Sequence, residues 1–239
     1  MSQFTGRAGA FAGIPQATND AYPTIALGTV MEGSDGTAFR YVRAGSSALA
    51  AGNVLQEAAE DTGEQNVAVA AAAIGATSIV TTTTLTVTKN QYAGGYAVVT
   101  TSAGVGYKYR IKSHEAYTAA ASTFVLEDPL QVALTTGSRL DFVANPFNAV
   151  IPAATSPSGT IVGVAVGTIS ASQYGWAQIR GTCGVLNDAA GAITVGTAVM
   201  PSTSVAGSLR AFTGAAYYLG VARTGIAASE VGLVDLKIS

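Results

Sequence analysis

Charge is scarce in this chain. Of 239 residues, 12 are Lys or Arg and 14 are Asp or Glu. That is 11% charged, against roughly 25% in an ordinary globular protein. The net charge is −2 and no Lys/Arg run occurs, so the electrostatic footprint of a nucleic-acid binder is missing. A surface this poor in charge must be largely Thr, Ser, Ala, Gly and Asn, which suits a protein covered by partners or one that must resist harsh surroundings. Cysteine occurs once, at Cys183, which excludes an intramolecular disulfide and reads as a small buried residue. Histidine also occurs once, at His114 in "KSHEA". One imidazole cannot build a metal site of two or three His ligands, and His114 reads as a turn or strand-end residue. No GxSxG elbow, GxxxxGK[ST] loop or CxxC pair is present. The acidic cluster Glu57, Glu60, Asp61 and Glu64 lacks the alternating spacing of a calcium loop and reads as solvated. No cofactor, metal or catalytic residue is therefore expected, and the chain reads as a non-enzyme.

Long apolar runs are missing too. The longest, "NVAVAAAAIGATSIV", is too short and too Ala-rich to span a bilayer as a helix. The opening "MSQFTGRAGAFAGIPQATND" carries no signal-peptide h-region, so the expectation is a soluble protein made in the cytoplasm. No window shows helical amphipathicity. "SALAAGNVLQEAAE" comes nearest, but Gly52 sits in its middle.

What the chain does have is strand-forming sequence. Residues 1–24 show no period and read either as a disordered tail or as an extended N-terminal arm whose aromatics, with Phe4, Phe11 and Tyr22 as candidates, dock on a neighbouring subunit. From Thr24, "TIALGTVMEGSDGTAFRYVRAG" reads as strand, turn, strand, with "GSDG" as the turn. Residues 66–145 are dense in Thr, Val and Ile and offer short strands at regular spacing. There "GYKYRIKSHEAY" alternates, Tyr107, Tyr109 and Ile111 against Lys108, Arg110 and Lys112. "IPAATSPSGT" follows as a linker. The expected fold is all-β: a sandwich or barrel-like body from 25–65 and 146–239, with an inserted β-subdomain at 66–145.

The body repeats itself. Gly163, Val164, Ala165, Ile169, Ala171, Ser172 and Gly175 recur as Gly220, Val221, Ala222, Ile226, Ala228, Ser229 and Gly232. "ALAAGNVL" and "AITVGTAVM" form a weaker second pair. Each copy reads as a short apolar strand, a polar turn and an alternating strand. Ser172 and Gln173 are matched by Ser229 and Glu230, so this polar cluster belongs to a turn rather than to a site. Trp176 and Tyr174 are replaced by Leu233 and Val231. These two aromatics, and the pair Tyr217–Tyr218, are core or sheet-surface groups, or else anchors at an interface with another subunit.

The phrases "FRYVRAGSSALAAGNVLQ", "YAGGYAVVTTSAGVGYKYRIKSHEAY", "QYGWAQIRGTCGVLND", "VGTAVMPS" and "GLVDLKI" resemble virion structural proteins of tailed bacteriophages. The closing strand resembles the small β-rich decoration, or cement, proteins of the head. The resemblance implies a protein on the capsid surface that bridges copies of the major capsid protein, as a homotrimer. It implies no direct contact with nucleic acid or membrane. The alternative is a tail-associated or receptor-binding virion protein with a carbohydrate-binding β-domain.

Overall fold

A computed structural model of the chain describes residues 15–156, 158–214 and 217–238. The chain divides into two compact units, one built from the chain up to Ala59 and from Pro146 onward, the other from Glu60–Asn145. Unit 1 begins with β1 (Val30–Glu32), β2 (Ala38–Arg43) and β3 (Val54–Gln56). Unit 2 supplies β4 (Val67–Ala68), β5 (Ser78–Val87), β6 (Tyr96–Thr101), β7 (Lys108–His114), β8 (Tyr117–Leu126) and β9 (Arg139–Val143). Unit 1 resumes with β10 (Ile151–Pro152), β11 (Ile161–Ala165), β12 (Tyr174–Leu186) and β13 (Ala198–Pro201). It ends with β14 (Leu209–Ala211), β15 (Gly220–Ala222) and β16 (Val231–Lys237). Among the described residues the only helical pieces are two single 3-10 turns, Pro15–Ala17 and Thr62–Glu64. The fold is all-β, as the strand-rich composition predicts.

In unit 1, the strands run β10-β3-β11-β12-β16-β15-β13-β14 in one ten-stranded sheet, with β2 also paired to β12 and β1 to β2. This sheet is one motif built twice. In the first copy Val164 faces Gln178 and Ala165 faces Ala177. In the second, Val221 faces Asp235 and Ala222 faces Val234, the positions that match them in the repeat. The next strand follows the same register. Val54 and Leu55 face Val164 and Gly163, as Ala198 and Val199 face Val221 and Gly220. The isolated bridges also match: Leu49 with Ile169 and Ala44 with Val150, then Ile193 with Ile226 and Asn187 with Leu209.

β12 belongs to both copies. Its first half closes copy one by pairing with β2, where Trp176 faces Tyr41 and Gly175 faces Val42. Its second half opens copy two by pairing with β16, where Gly184 faces Leu233 and Val185 faces Gly232. So the second half of β12 stands where β2 stands in copy one. The cores match as well. Val42, Leu49, Leu55, Val150, Ala165, Ile169 and Ala177 pack together in copy one. Their counterparts Val185, Ile193, Val199, Leu209, Ala222, Ile226 and Val234 pack together in copy two.

Two glycine positions show why the repeat keeps its residues. A Cβ on Gly175 would lie 2.7 Å from the Ile169 side chain, and one on Gly232 would strike Ile226 in the same way. In both copies the isoleucine that locks the turn leaves room for hydrogen only. Ser172 and Ser229, in the matching turns, both hold φ 61°. That left-handed conformation is one that a tight turn imposes.

The duplication explains the placing of unit 2. In copy two, β13 passes to β14 through the short loop 202–208. In copy one, the matching strands β3 and β10 are separated by the whole of unit 2. The insertion thus occupies the site of a hairpin loop. Its first boundary falls at Glu60 rather than at the expected residue 66, for a physical reason. The Glu60 carboxylate accepts the Ala144 N–H at 3.2 Å, and Glu64 accepts the Tyr92 hydroxyl at 2.8 Å. Both acidic residues therefore belong to unit 2.

Unit 2 is a six-stranded sheet in the order β4-β9-β6-β7-β8-β5. It comes close to closing on itself, because Val69, just past β4, bridges Thr81 of β5 and the Ala70 N–H donates to the Val80 carbonyl at 2.9 Å. Closure leaves few open edges. Phe124 stacks on Phe142 at 4.2 Å in its core, with Tyr92 edge-on to Phe124. β7 shows the expected alternation: Tyr109 and Ile111 are buried, while Lys108, Arg110 and Lys112 are exposed. Tyr107, just outside the strand, is exposed as well.

Candidate interaction surface

The aromatics singled out for an interface have different fates. Phe4 and Phe11 lie outside the described residues. Tyr22 is 81% exposed. Trp176 is 1% exposed and belongs to the core, so it offers no surface to a partner. It packs with Met31, Phe39 and Tyr41, with Ile25 and Leu27 against the same cluster. Its ring meets Tyr41 edge-on at 5.1 Å. Tyr174 is half-buried and stacks parallel to Tyr41 at 6.0 Å, with the Arg43 guanidinium 5.8 Å from its ring centre. The structure thus brings Tyr174 and Trp176 together, but beneath the chain's own N-terminal strap.

That strap corrects part of the arm assignment. Residues 15–24 run against their own unit. The Asp20 N–H and carbonyl exchange hydrogen bonds with Tyr174, each at 2.9 Å, and the Asn19 Oδ1 accepts the Ser170 N–H. The Tyr41 hydroxyl donates to the Asp20 carboxylate at 3.1 Å and accepts from Thr24, which anchors the strap from below. Burial of this phenol pushes its pKa up, which keeps it the proton donor in that bond.

Two further apolar groups are exposed. Val231 and Leu233 are 58% and 45% exposed on the outer face of β16. At the far end of the ten-stranded sheet, Phe212, Tyr217 and Tyr218 are also exposed. Phe212 and Tyr218 meet edge-to-face at 6.3 Å. Tyr217 lines a shallow ~20 Å³ depression with Gln56, Ser202 and Thr203. The sequence carried a signal for the first group: Leu233 and Val231 replace Trp176 and Tyr174 in the repeat. For the second group the pair Tyr217–Tyr218 carries the same core-or-interface ambiguity in the sequence as Trp176, while Phe212 carries no signal.

The polar residues with chemical potential serve structure. Cys183 is buried, and desolvation pushes its thiol up to about 12, far from a reactive thiolate. The acidic cluster is not the solvated loop expected of it. The Glu57 carboxylate accepts the Thr160 N–H at 2.6 Å, and Asp61 caps a 3-10 turn by accepting from Gly63. Glu64 is 3% exposed, and its burial raises its pKa while the Tyr92 hydroxyl opposes that shift.

His114 ends β7 in a buried site. Its Nε2 accepts the Tyr92 N–H at 3.0 Å, so its Nδ1 carries the proton and donates to the Glu115 carbonyl at 2.9 Å. The neutral ring satisfies both contacts, and burial lowers its pKa. Among the described residues, no three His, Cys, Asp or Glu side chains gather as metal ligands would. Nor is any helix among them long and apolar enough to cross a membrane. In comparisons with protein families, with curated proteins and with solved structures, nothing matches this chain.

Proposed function

We propose that this chain is a bacteriophage capsid decoration protein, which binds the outside of the head and stabilises the shell by bridging copies of the major capsid protein. The observation that carries the reading is the exposed trio Phe212, Tyr217 and Tyr218, on a body with only 11% charged residues. Aromatic side chains grouped at a surface are the usual anchors of a protein contact, and a rim poor in charge costs little to desolvate. A doubly built β body supplies a rigid platform for them. On a symmetric shell many weak contacts of this kind add to high avidity. The resemblance to cement proteins supports the same reading and, with it, a homotrimeric assembly.

The test is reconstitution. Purified protein added to capsids that lack it is expected to bind to a fixed copy number and to raise the melting temperature of the shell. The double substitution Phe212→Ala with Tyr218→Ala is expected to weaken binding without unfolding the protein. Absence of saturable binding overturns the proposal.

A second reading, a tail-associated or receptor-binding protein, has one observation in its favour. Tyr107 is exposed on unit 2 and stacks on Tyr109 at 6.3 Å, a flat aromatic face of the kind that sugar rings pack against. Binding of a host-surface polysaccharide that Tyr107→Ala abolishes is the outcome that selects it.

A further inference from the structure

The two copies of the motif differ in what covers one outer face. In copy one, Val54, Ala153, Ile161 and Val164 are buried because they pack into the core cluster of copy two. Their counterparts in copy two are Ala198, Phe212, Tyr218 and Val221. The register sets the match: Ala198 faces Val221 as Val54 faces Val164. The Phe212 N–H donates to the Ala198 carbonyl at 2.9 Å, as the Ala153 N–H donates to the Val54 carbonyl at 2.8 Å. Tyr218 precedes Gly220 by the same interval as Ile161 precedes Gly163. Ala153 is 2% exposed and Phe212 38%, while Ile161 is 7% exposed and Tyr218 42%. Ala198 and Val221 are half-buried. Copy two covers this face of copy one, and its own counterpart stays open.

The backbone differs in the same way. In an antiparallel ladder a hydrogen-bonded pair exchanges two bonds. Val54 and Ala153 make only one of the two directly. Gly207, in the loop 202–208 of copy two, takes the place of the other. Its carbonyl accepts the Val54 N–H at 2.7 Å, and its N–H donates to the Ala153 carbonyl at 2.9 Å. At the matching pair, Ala198 and Phe212, the return bond is also missing. Among the described residues nothing meets the Ala198 N–H or the Phe212 carbonyl. A donor and an acceptor therefore stand there as they stand around Gly207. Phe212 itself carries one ring of the exposed edge-to-face pair with Tyr218.

We infer that this open pair is where the partner's backbone docks. An extended, apolar segment of the capsid subunit places one peptide group between the Ala198 N–H and the Phe212 carbonyl, as Gly207 sits between Val54 and Ala153. Its side chains then cover Phe212 and Tyr218. The inference rests on the reading of this face as the capsid contact, and adds how the contact is made. A partner that buries Phe212 must also satisfy the two backbone groups, since leaving them unpaired away from water is costly. One peptide group of an added strand supplies both, its carbonyl to the N–H and its N–H to the carbonyl. The chain already uses this solution at Gly207, so the motif has room for it.

Amide exchange on the full-length protein tests it. In the free protein the Ala198 amide is expected to exchange at least about tenfold faster than the Val54 amide, which Gly207 holds. On capsids, with exchange read after release of the bound protein, the Ala198 amide is expected to slow by about tenfold or more while that of Val185 stays unchanged. Saturable binding that leaves Ala198 exchange unaltered overturns the inference and leaves the capsid reading standing. Absence of saturable binding overturns both. An Ala198 amide as protected as Val54 in the free protein also overturns the inference. So does protection that rises with protein concentration alone, which assigns the open pair to a second copy of the chain.

Discussion

Trp176 and Leu233 occupy the same strand position in the two copies of one motif, yet Trp176 is 1% exposed and Leu233 45%. Trp176 is covered by Met31, Phe39 and Tyr41, with Ile25 and Leu27 against the same cluster, whereas the place of Tyr41 beside Leu233 is taken by Gly184. Removing a large buried side chain loses its transfer energy and leaves a cavity. Trp176→Ala is therefore expected to cost about 3–5 kcal/mol in urea denaturation, and Leu233→Ala at most about 1 kcal/mol. Comparable losses at the two sites contradict the assignment of Trp176 to the core.

The glycines of the repeat give a second pair of matched substitutions. Gly175→Ala and Gly232→Ala each place a methyl against a buried isoleucine, Ile169 or Ile226. Each is expected to destabilise unit 1 by about 1–3 kcal/mol through overpacking. Trimming the partner is expected to relieve part of the loss, so Gly232→Ala combined with Ile226→Val should be less damaging than the sum of the two changes. A thermal-melt double-mutant cycle reads this coupling.

The motif's symmetry predicts that unit 2 is dispensable for the folding of unit 1. Copy two connects β13 to β14 by the loop 202–208, and β3 stands to β10 in the same register. Replacing residues 58–148 with the sequence of that loop is expected to leave a folded unit 1 with dispersed amide resonances and a cooperative melt. Loss of cooperativity contradicts the duplication as described.

His114 sets a pH dependence in unit 2. Its folded pKa lies below the usual 6.5 because burial penalises the imidazolium. A protonated ring also turns an N–H toward the Tyr92 N–H. Near and below pH 6.5 the unfolded state therefore binds more protons than the folded state. The stability from this group is full above pH 6.5 and is lost as pH falls toward the folded pKa. Glu64, reached from His114 through Tyr92, works in the opposite sense. Its pKa is raised above 4.5, so it disfavours folding as pH rises through that shift. His114→Gln keeps an acceptor for the Tyr92 N–H and removes the titration. The difference between the wild-type and variant stability curves is expected to be flat above pH 6.5 and to slope below it. A flat difference throughout contradicts the buried neutral histidine.

Much of this architecture was legible in the residues, and for physical reasons. The repeat at Gly163 and Gly220 survives because its glycines, serines and isoleucines meet backbone demands that few other residues satisfy. The alternation of β7 is visible because one face is buried and the other is not. The sharing of β12 was hidden, because Tyr41 and Gly184 hold the same place with nothing alike in their side chains. The burial of Glu64 was hidden too, since its partner Tyr92 lies 28 residues away and no local pattern marks the contact. Nor did the N-terminal segment announce that Asp20 would bridge Tyr174, a pairing made by backbone atoms, which any residue supplies.

The location of the protein in the assembled particle tests the central claim most directly. Cryo-electron microscopy of virions that carry this chain is predicted to show it at fixed positions on the outer surface of the head. Each copy should contact more than one subunit of the major capsid protein, with Phe212, Tyr217 and Tyr218 at the contact. Density for the chain at the tail or its tip, with none on the head, contradicts the account.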